Sequence, residues 1–118
     1  MSDSTPVREW RFYVQDMLVF CGKVLAYTQG LDRMTFAADA MRYDATLRNL
    51  ELIGEAATHV PTDVRETHAT VPWRLVIAVR NRLTHGYLGI DDDTLWSIVC
   101  DDVAPLRDAL KQVLAAHP

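Results

Sequence analysis

Residues 91–114 read DDDTLWSIVCDDVAPLRDALKQVL, and the spacing of their apolar members decides the fold. Leu95, Trp96, Val99, Cys100, Val103, Leu106, Leu110, Val113 and Leu114 recur along one face of an α-helix, where a strand would alternate with period two. The helix starts near Asp91. Asp91, Asp92 and Asp93 follow Gly89 closely, and carboxylates at a helix start cap free amides and favour the positive dipole end. That explains the three acids better than a cation site does. Pro105 falls inside the stripe, so a kink is expected there, with the periodicity continuing beyond it.

The same helical spacing recurs upstream. Pro72 suits the first position of a third helix, where its missing N–H costs nothing. Leu75, Val76, Val79 and Leu83 form the apolar stripe of that helix, and Gly86 is its natural terminator. A second helix is expected from about Thr35 to Thr58, with Met41, Leu47, Leu50, Ile53, Ala56 and Ala57 as its apolar positions. Val60-Pro61 stops it, and Asp63 to His68 leaves room for only a short turn. The first helix runs from about Val7 to Tyr27, with Trp10, Val14, Met17, Leu18, Cys21, Val24 and Leu25 in phase and Gly30 closing it. Phe12, Val19 and Phe20 lie off that stripe, which points to burial on two sides, the second against another copy of the chain. No segment alternates with period two over a strand's length. The expectation is an all-α antiparallel four-helix bundle, a single domain over residues 1–118.

Composition narrows the function classes. Hydrophobic residues make up 49% of the 118, enough for a packed core and too many for a disordered tail. No apolar run approaches the roughly 20 residues of a membrane span, and Met1-Ser2-Asp3-Ser4-Thr5-Pro6 has neither the basic start nor the apolar stretch of a signal peptide. Cys21 and Cys100 both sit in apolar helical patterns; they read as buried free thiols in a reducing, cytoplasmic setting. The net charge of −4 argues against nucleic-acid binding by the whole surface. Yet the chain has ten arginines against only Lys23 and Lys111, and the guanidinium fork suits phosphate. Any nucleic-acid contact must therefore be local, and Arg74, Arg80 and Arg82 are the densest cluster.

That cluster leads into the sharpest string in the chain, Arg80-Asn81-Arg82-Leu83-Thr84-His85-Gly86-Tyr87. The plain reading is a surface arginine and a histidine set against the helix C-terminal dipole, with Tyr87 an aromatic closing the helix end. The chemical reading pairs a phosphate-binding fork with a group that titrates near neutral pH. On a regular helix Arg80 and Tyr87 are nearly in phase, whereas His85 lies about 140° from Arg80. Either Gly86 lets the helix end unwind, or a second subunit completes the site, which makes a symmetric dimer attractive.

Val71-Pro72-Trp73-Arg74, Val79 through Asp91, and Leu95-Trp96-Ser97-Ile98-Val99, preceded by Leu47-Arg48-Asn49-Leu50-Glu51-Leu52-Ile53-Gly54-Glu55-Ala56, resemble the HepT branch of the HEPN superfamily. The similarity covers essentially the whole chain, in order and spacing. It implies a four-helix-bundle, metal-independent endoribonuclease toxin that works as a homodimer on cellular RNA (tRNA or mRNA) and needs no cofactor. It also implies an antitoxin partner, a minimal nucleotidyltransferase of the MntA type. The family's Arg-x4-His motif falls on Arg80 and His85 as catalytic residues. Its AMP-accepting tyrosine falls on Tyr87, and Asn81 matches the polar residue that follows the arginine.

The residue types fit that chemistry. RNA carries a 2′-hydroxyl beside each scissile phosphate, so cleavage needs proton transfer and charge stabilisation. His85 is assigned the proton and Arg80 the charge of the phosphorane-like transition state. AMP on Tyr87 would place an anion where RNA brings its own. Arg48, Glu51 and Glu55 share a helix face at i, i+3 and i+7 and read as structural ion pairs, with the alternative that Glu55 orients Arg80. His59, His68 and His117 have no metal-ligand spacing and read as solvent-facing. A rival from another class is a non-catalytic HEPN binding module that pairs with a nucleotidyltransferase and binds nucleotides.

Overall fold

Asp39 divides what the apolar spacing reads as one helix. In the computed structural model, which describes residues 9–86 and 90–118, the second segment is split into α2 (Arg33–Ala38) and α3 (Ala40–Thr58). They follow α1 (Trp10–Thr28). Asp39 has extended backbone angles; its N–H closes α2 on the Phe36 carbonyl while its side chain accepts from the Arg42 amide. A short acid that bonds nearby amides competes with helix continuation. The break turns Phe36 into the core and leaves Met41, expected on the apolar face, 85% exposed.

The remaining elements are α4 (Thr62–Thr67), α5 (Trp73–His85), α6 (Asp92–Ser97) and α7 (Val103–Ala115), with a π-helical turn, Ile98–Asp102, joining the last two. The expected short turn after Pro61 is thus a helix of six residues. Gly86 does end α5: its φ is 67°, and its N–H bonds to the Arg82 carbonyl at 3.3 Å. Asp91 caps α6 by accepting from the Thr94 amide at 2.8 Å, as the acidic start implies. The π turn sits just ahead of Pro105. A proline at that position has no N–H for the Asp101 carbonyl, and its ring crowds that carbonyl; the wider turn relieves both. It also keeps Leu95, Val99 and Val103 on the buried face while turning Cys100 outward. The expectation of two buried cysteines therefore holds for Cys21 alone, whose thiol is pushed up to about 12 by burial, against a smaller lowering by Arg107.

Side-chain contacts fix the directions of the long helices. The Arg11 guanidinium donates to the His117 carbonyl at 2.9 Å, joining the start of α1 to the residues after α7. His59 at the end of α3 stacks on Tyr13 near the start of α1. Glu51 and Glu55 of α3 meet Thr84 and Arg80 of α5 in reversed order. Each of these pairs is antiparallel, and α3 packs against both α1 and α5 while α1 also packs against α7. The core between them is built from Val14, Met17 and Val24, Ile53 and Ala57, and Leu95, Val103 and Leu110. Leu75, placed on the stripe of α5, is instead 46% exposed, on the rim of an apolar groove floored by Leu50 and Ile53. No helix among the described residues is long and apolar enough to cross a membrane.

His59 is exposed as its sequence reading has it, whereas His68 and His117 differ. The antiparallel layout brings the chain after α4 and the chain after α7 to one end of the bundle, so His68 and His117 meet with Nε2 atoms 2.8 Å apart. Both are half-buried.

Two helices approach closely at Gly54. A Cβ there would collide with Arg80 Cβ and lie 2.8 Å from the Val76 carbonyl oxygen, so α3 and α5 touch backbone to side chain only because residue 54 has no side chain. Gly54→Ala should lose about 1–3 kcal/mol, the usual cost of overpacking. Gly22→Ala, with nothing within 4 Å, should gain up to about 1 kcal/mol from helix propensity. Urea unfolding of the two variants checks the contrast, and equal midpoints would contradict the close approach.

Candidate functional site

Arg80 leaves α5 directly over Gly54. The seat directs its guanidinium along α3 to the next residue, where Nη2 donates to Glu55 Oε2 at 2.6 Å, while Nη1 donates to Asn81 Oδ1 at 2.9 Å. The side chains of Arg80 and Glu55 are 30% and 46% exposed. A pair so wet contributes little to stability, about 0–1 kcal/mol at most; its effect is orientation. The remaining N–H donors of the fork are the ones a phosphate could use.

One turn further along α5 the arrangement repeats. The Thr84 hydroxyl donates to Glu51 Oε2 at 3.2 Å, and the other oxygen of Glu51 accepts from Arg48 Nη1 at 2.7 Å. The acidic face of α3, legible at i, i+3 and i+7, thus holds the last two turns of α5. Glu55 has a second neighbour: its Oε1 lies 3.6 Å from His59 Nε2, and the His59 ring is stacked on Tyr13, with centroids 4.6 Å apart and planes 16° apart. The Glu55–His59 spacing of four residues signals the first contact. Nothing in the sequence signals the second, which depends on how α1 lies along α3.

α5 stays helical through His85. Unwinding at Gly86 therefore does not carry His85 round to Arg80, and the two leave the helix about 140° and about 7.5 Å apart. His85 is exposed, as are Arg74, Asn81 and Arg82. Arg82 and His85 are neighbours at i, i+3, whereas Arg82 leaves α5 about 200° from Arg80. Arg74 instead borders a hollow with Arg65 and Glu66. Apart from Arg74, one chain thus divides the described candidates into two groups: Arg80, bonded to Asn81 and to Glu55 of α3, and Arg82 with His85 on another face. Tyr87 lies outside the described residues.

C-terminal to the motif, three contacts of Asp91–Asp93 anchor the described chain. Tyr43 of α3 donates to Asp92 Oδ1 at 2.7 Å, Arg33 of α2 pairs with Asp93 at 3.2 Å, and Asp91 caps α6. The bond to Asp92 holds the proton on Tyr43, whose pKa is pushed up to about 12. Tyr43 packs at a tilt on Phe36, which in turn meets Trp96. Among the described residues, no three His, Cys, Asp or Glu side chains converge as a metal site.

With this geometry in place, comparison with known proteins is decisive. The family model for ribonuclease HepT-like proteins matches residues 17–113. The chain belongs to the HepT-like family. A Methanocaldococcus jannaschii protein named "Putative RNase MJ1380" is 35% identical over 106 residues, which is 90% of this chain and 97% of that protein. A Thermococcus cleftensis protein named "Probable ribonuclease HepT" is 29% identical over 106 residues, covering 90% of this chain and 96% of that one. No solved structure matches.

The carboxylate caps at either end of the aromatic anchor set a pH limit. Asp32 and Asp91 titrate below the ordinary carboxylate value, chiefly because each accepts from a backbone amide, of Thr35 and Thr94 respectively. A lowered folded pKa means that the caps are fully present above the unfolded value, about 3.9. They are lost as pH falls through the lowered folded value. Asparagine caps as well as aspartate but does not titrate. The thermal midpoint, read by circular dichroism, should fall more steeply below about pH 4 in the wild type than in an Asp32→Asn, Asp91→Asn double variant. Parallel curves would contradict capping by the two carboxylates.

Proposed function

We propose that this HepT-like chain is a metal-independent endoribonuclease whose working unit is a homodimer. The observation that carries the reading is the seat of Arg80. Gly54 and Glu55 fix a guanidinium at the edge of the bundle, in a family member that keeps histidine five residues on. A purely structural helix would gain little from an oriented, partly exposed arginine. The names of the relatives, RNase and ribonuclease, point the same way.

In the proposed reaction the 2′-hydroxyl oxygen attacks the adjacent phosphorus as it gives up its proton. The P–O5′ bond breaks, and the leaving oxygen takes a proton. The products are a 2′,3′-cyclic phosphate and a 5′-hydroxyl, with no water or oxidant consumed. His85 serves a proton transfer, a contribution of about 10²–10⁴-fold. Arg80 neutralises the charge that builds on the non-bridging oxygens. Since one chain sets Arg80 and His85 apart on an intact helix, the reading places the partner's motif across a shared cleft. Phe12 and Val19, seven residues apart on one face of α1 and both exposed, are the apolar surface that a second copy would cover.

The same reading makes the chain the toxin of a toxin–antitoxin pair. A nucleotidyltransferase of the MntA type would join AMP to the Tyr87 hydroxyl, with pyrophosphate leaving ATP. The added phosphodiester carries a negative charge beside the RNA phosphate, which lowers binding and cleavage together.

His85→Ala and Arg80→Ala should each reduce cleavage by about 10²-fold or more with an unchanged helical spectrum. Arg80→Lys should rescue poorly, since lysine lacks the fork, and wild-type cleavage should persist in excess EDTA. Loss on chelation that a divalent ion restores would overturn the metal-independent mechanism. Tyr87→Phe keeps the ring without the acceptor oxygen. Co-expressed with the nucleotidyltransferase it should still arrest growth, whereas wild type should be protected and gain AMP mass on Tyr87. Full protection of Tyr87→Phe would remove Tyr87 from the control of activity.

A further inference from the structure

The Tyr13–His59 stack has no place in the reaction above, yet it lies one carboxylate away from the arginine assigned to the phosphate. Glu55 has an oxygen for each: Oε2 receives Arg80 at 2.6 Å, and Oε1 faces His59 Nε2 at 3.6 Å. His59 is the residue that ends α3, its N–H bonded back to Ala56 and Ala57. Its side chain is 49% exposed, so the ring is not a buried plug for the helix end. Tyr13 beneath it is half-buried and packed against the core, which makes the support rigid. One face of the imidazole is laid flat on the phenol, and half the side chain remains open to solvent.

We propose that the Tyr13–His59 stack is a nucleobase subsite, on which an unpaired base next to the phosphate held by Arg80 lies against the exposed ring of His59. The proposal rests on the ribonuclease reading for its substrate and extends it to a substrate class. Guanidinium and imidazole each lie within 4 Å of the same carboxylate, so phosphate and base of one strand can meet both. A base can lie on such a surface only if it has left its own stack, which selects single-stranded segments and loops over duplex. Every base has a π-face, so stacking holds a strand with little sequence preference. Glu55 orients Arg80 through a 2.6 Å bond and lies beside His59 at 3.6 Å. With Nε2 facing Glu55 at 3.6 Å and one ring face on Tyr13, the solvent-exposed half of the side chain is what a base would meet.

Binding of an uncleavable strand tests the subsite without relying on catalysis. The probe is a fluorescent, unstructured oligoribonucleotide of about a dozen nucleotides, 2′-fluoro throughout so that no 2′-hydroxyl can attack. Its affinity is read by anisotropy for wild type, His59→Ala and His59→Phe, each checked by thermal melting. His59→Ala should weaken binding about tenfold, while His59→Phe, which keeps a ring, should stay close to wild type. On a ribose-phosphate oligomer of the same length without bases, wild type and His59→Ala should bind equally. A His59→Ala affinity equal to wild type on the base-bearing strand would overturn the proposal. So would an equal loss on the baseless strand, because His59 would then act through Glu55 and Arg80. Absence of cleavage of the matching natural oligoribonucleotide by wild type would sink the ribonuclease reading, while the anisotropy series still judges the subsite.

Discussion

The missing side chain at Gly54 sets the distance between α3 and α5, and the placement of Arg80 depends on that distance. With a Cβ in the way, α5 would stand off, the Arg80 stem would lose its seat, and neither Glu55 nor Glu51 would reach its partner on α5. The close approach gives α3 two functions: one face fills the core with Leu50, Ile53 and Ala57, and the adjoining face carries the carboxylates that hold the last turns of α5. Dispersion and burial hold the helices together. The half-exposed ion pairs add little energy and instead fix direction.

Direction matters to the proposed site because it is made of long side chains at a helix end. An arginine free in solvent samples many rotamers and loses that freedom when it binds phosphate. Arg80 is already held by Glu55 and Asn81. C-terminal to the motif, Tyr43 and Arg33 hold Asp92 and Asp93, and the Asp91 cap starts α6. The fold provides placement, and the chemistry rests on few groups.

The helical class was legible because burial dominates it. Val14, Met17, Cys21 and Val24, or Val76 and Val79, are buried where their spacing puts them. What was not legible were the places where a local bond outcompetes periodicity. Asp39 breaks a helix that its apolar neighbours would have continued, and the turn ahead of Pro105 changes the phase just enough to expose Cys100. Met41 and Leu75 lie on the expected apolar stripes and yet are exposed, Leu75 at the rim of a groove. At the site, the face shared by Glu51 and Glu55 and the phase of Arg80 against His85 could be read from numbering alone. The meetings of His59 with Tyr13 and of His68 with His117 could not, because they join segments 46 and 49 residues apart, and pattern within one helix carries no information on them.

The chemistry assigned to Arg80 and His85 leaves a signature in the ends of the product. Attack by the neighbouring 2′-hydroxyl produces a 2′,3′-cyclic phosphate on one fragment and a 5′-hydroxyl on the other, whereas attack by an activated water or a metal-bound hydroxide leaves a 5′- or 3′-phosphomonoester directly. Mass spectrometry of fragments from a defined oligoribonucleotide, cut by the purified chain, is the most direct measurement. The proposed mechanism predicts cyclic phosphate and 5′-hydroxyl ends, and no cut where the scissile position carries a single 2′-deoxy sugar. Fragments with 5′-phosphate and 3′-hydroxyl ends, or cleavage at the deoxy position, would contradict it.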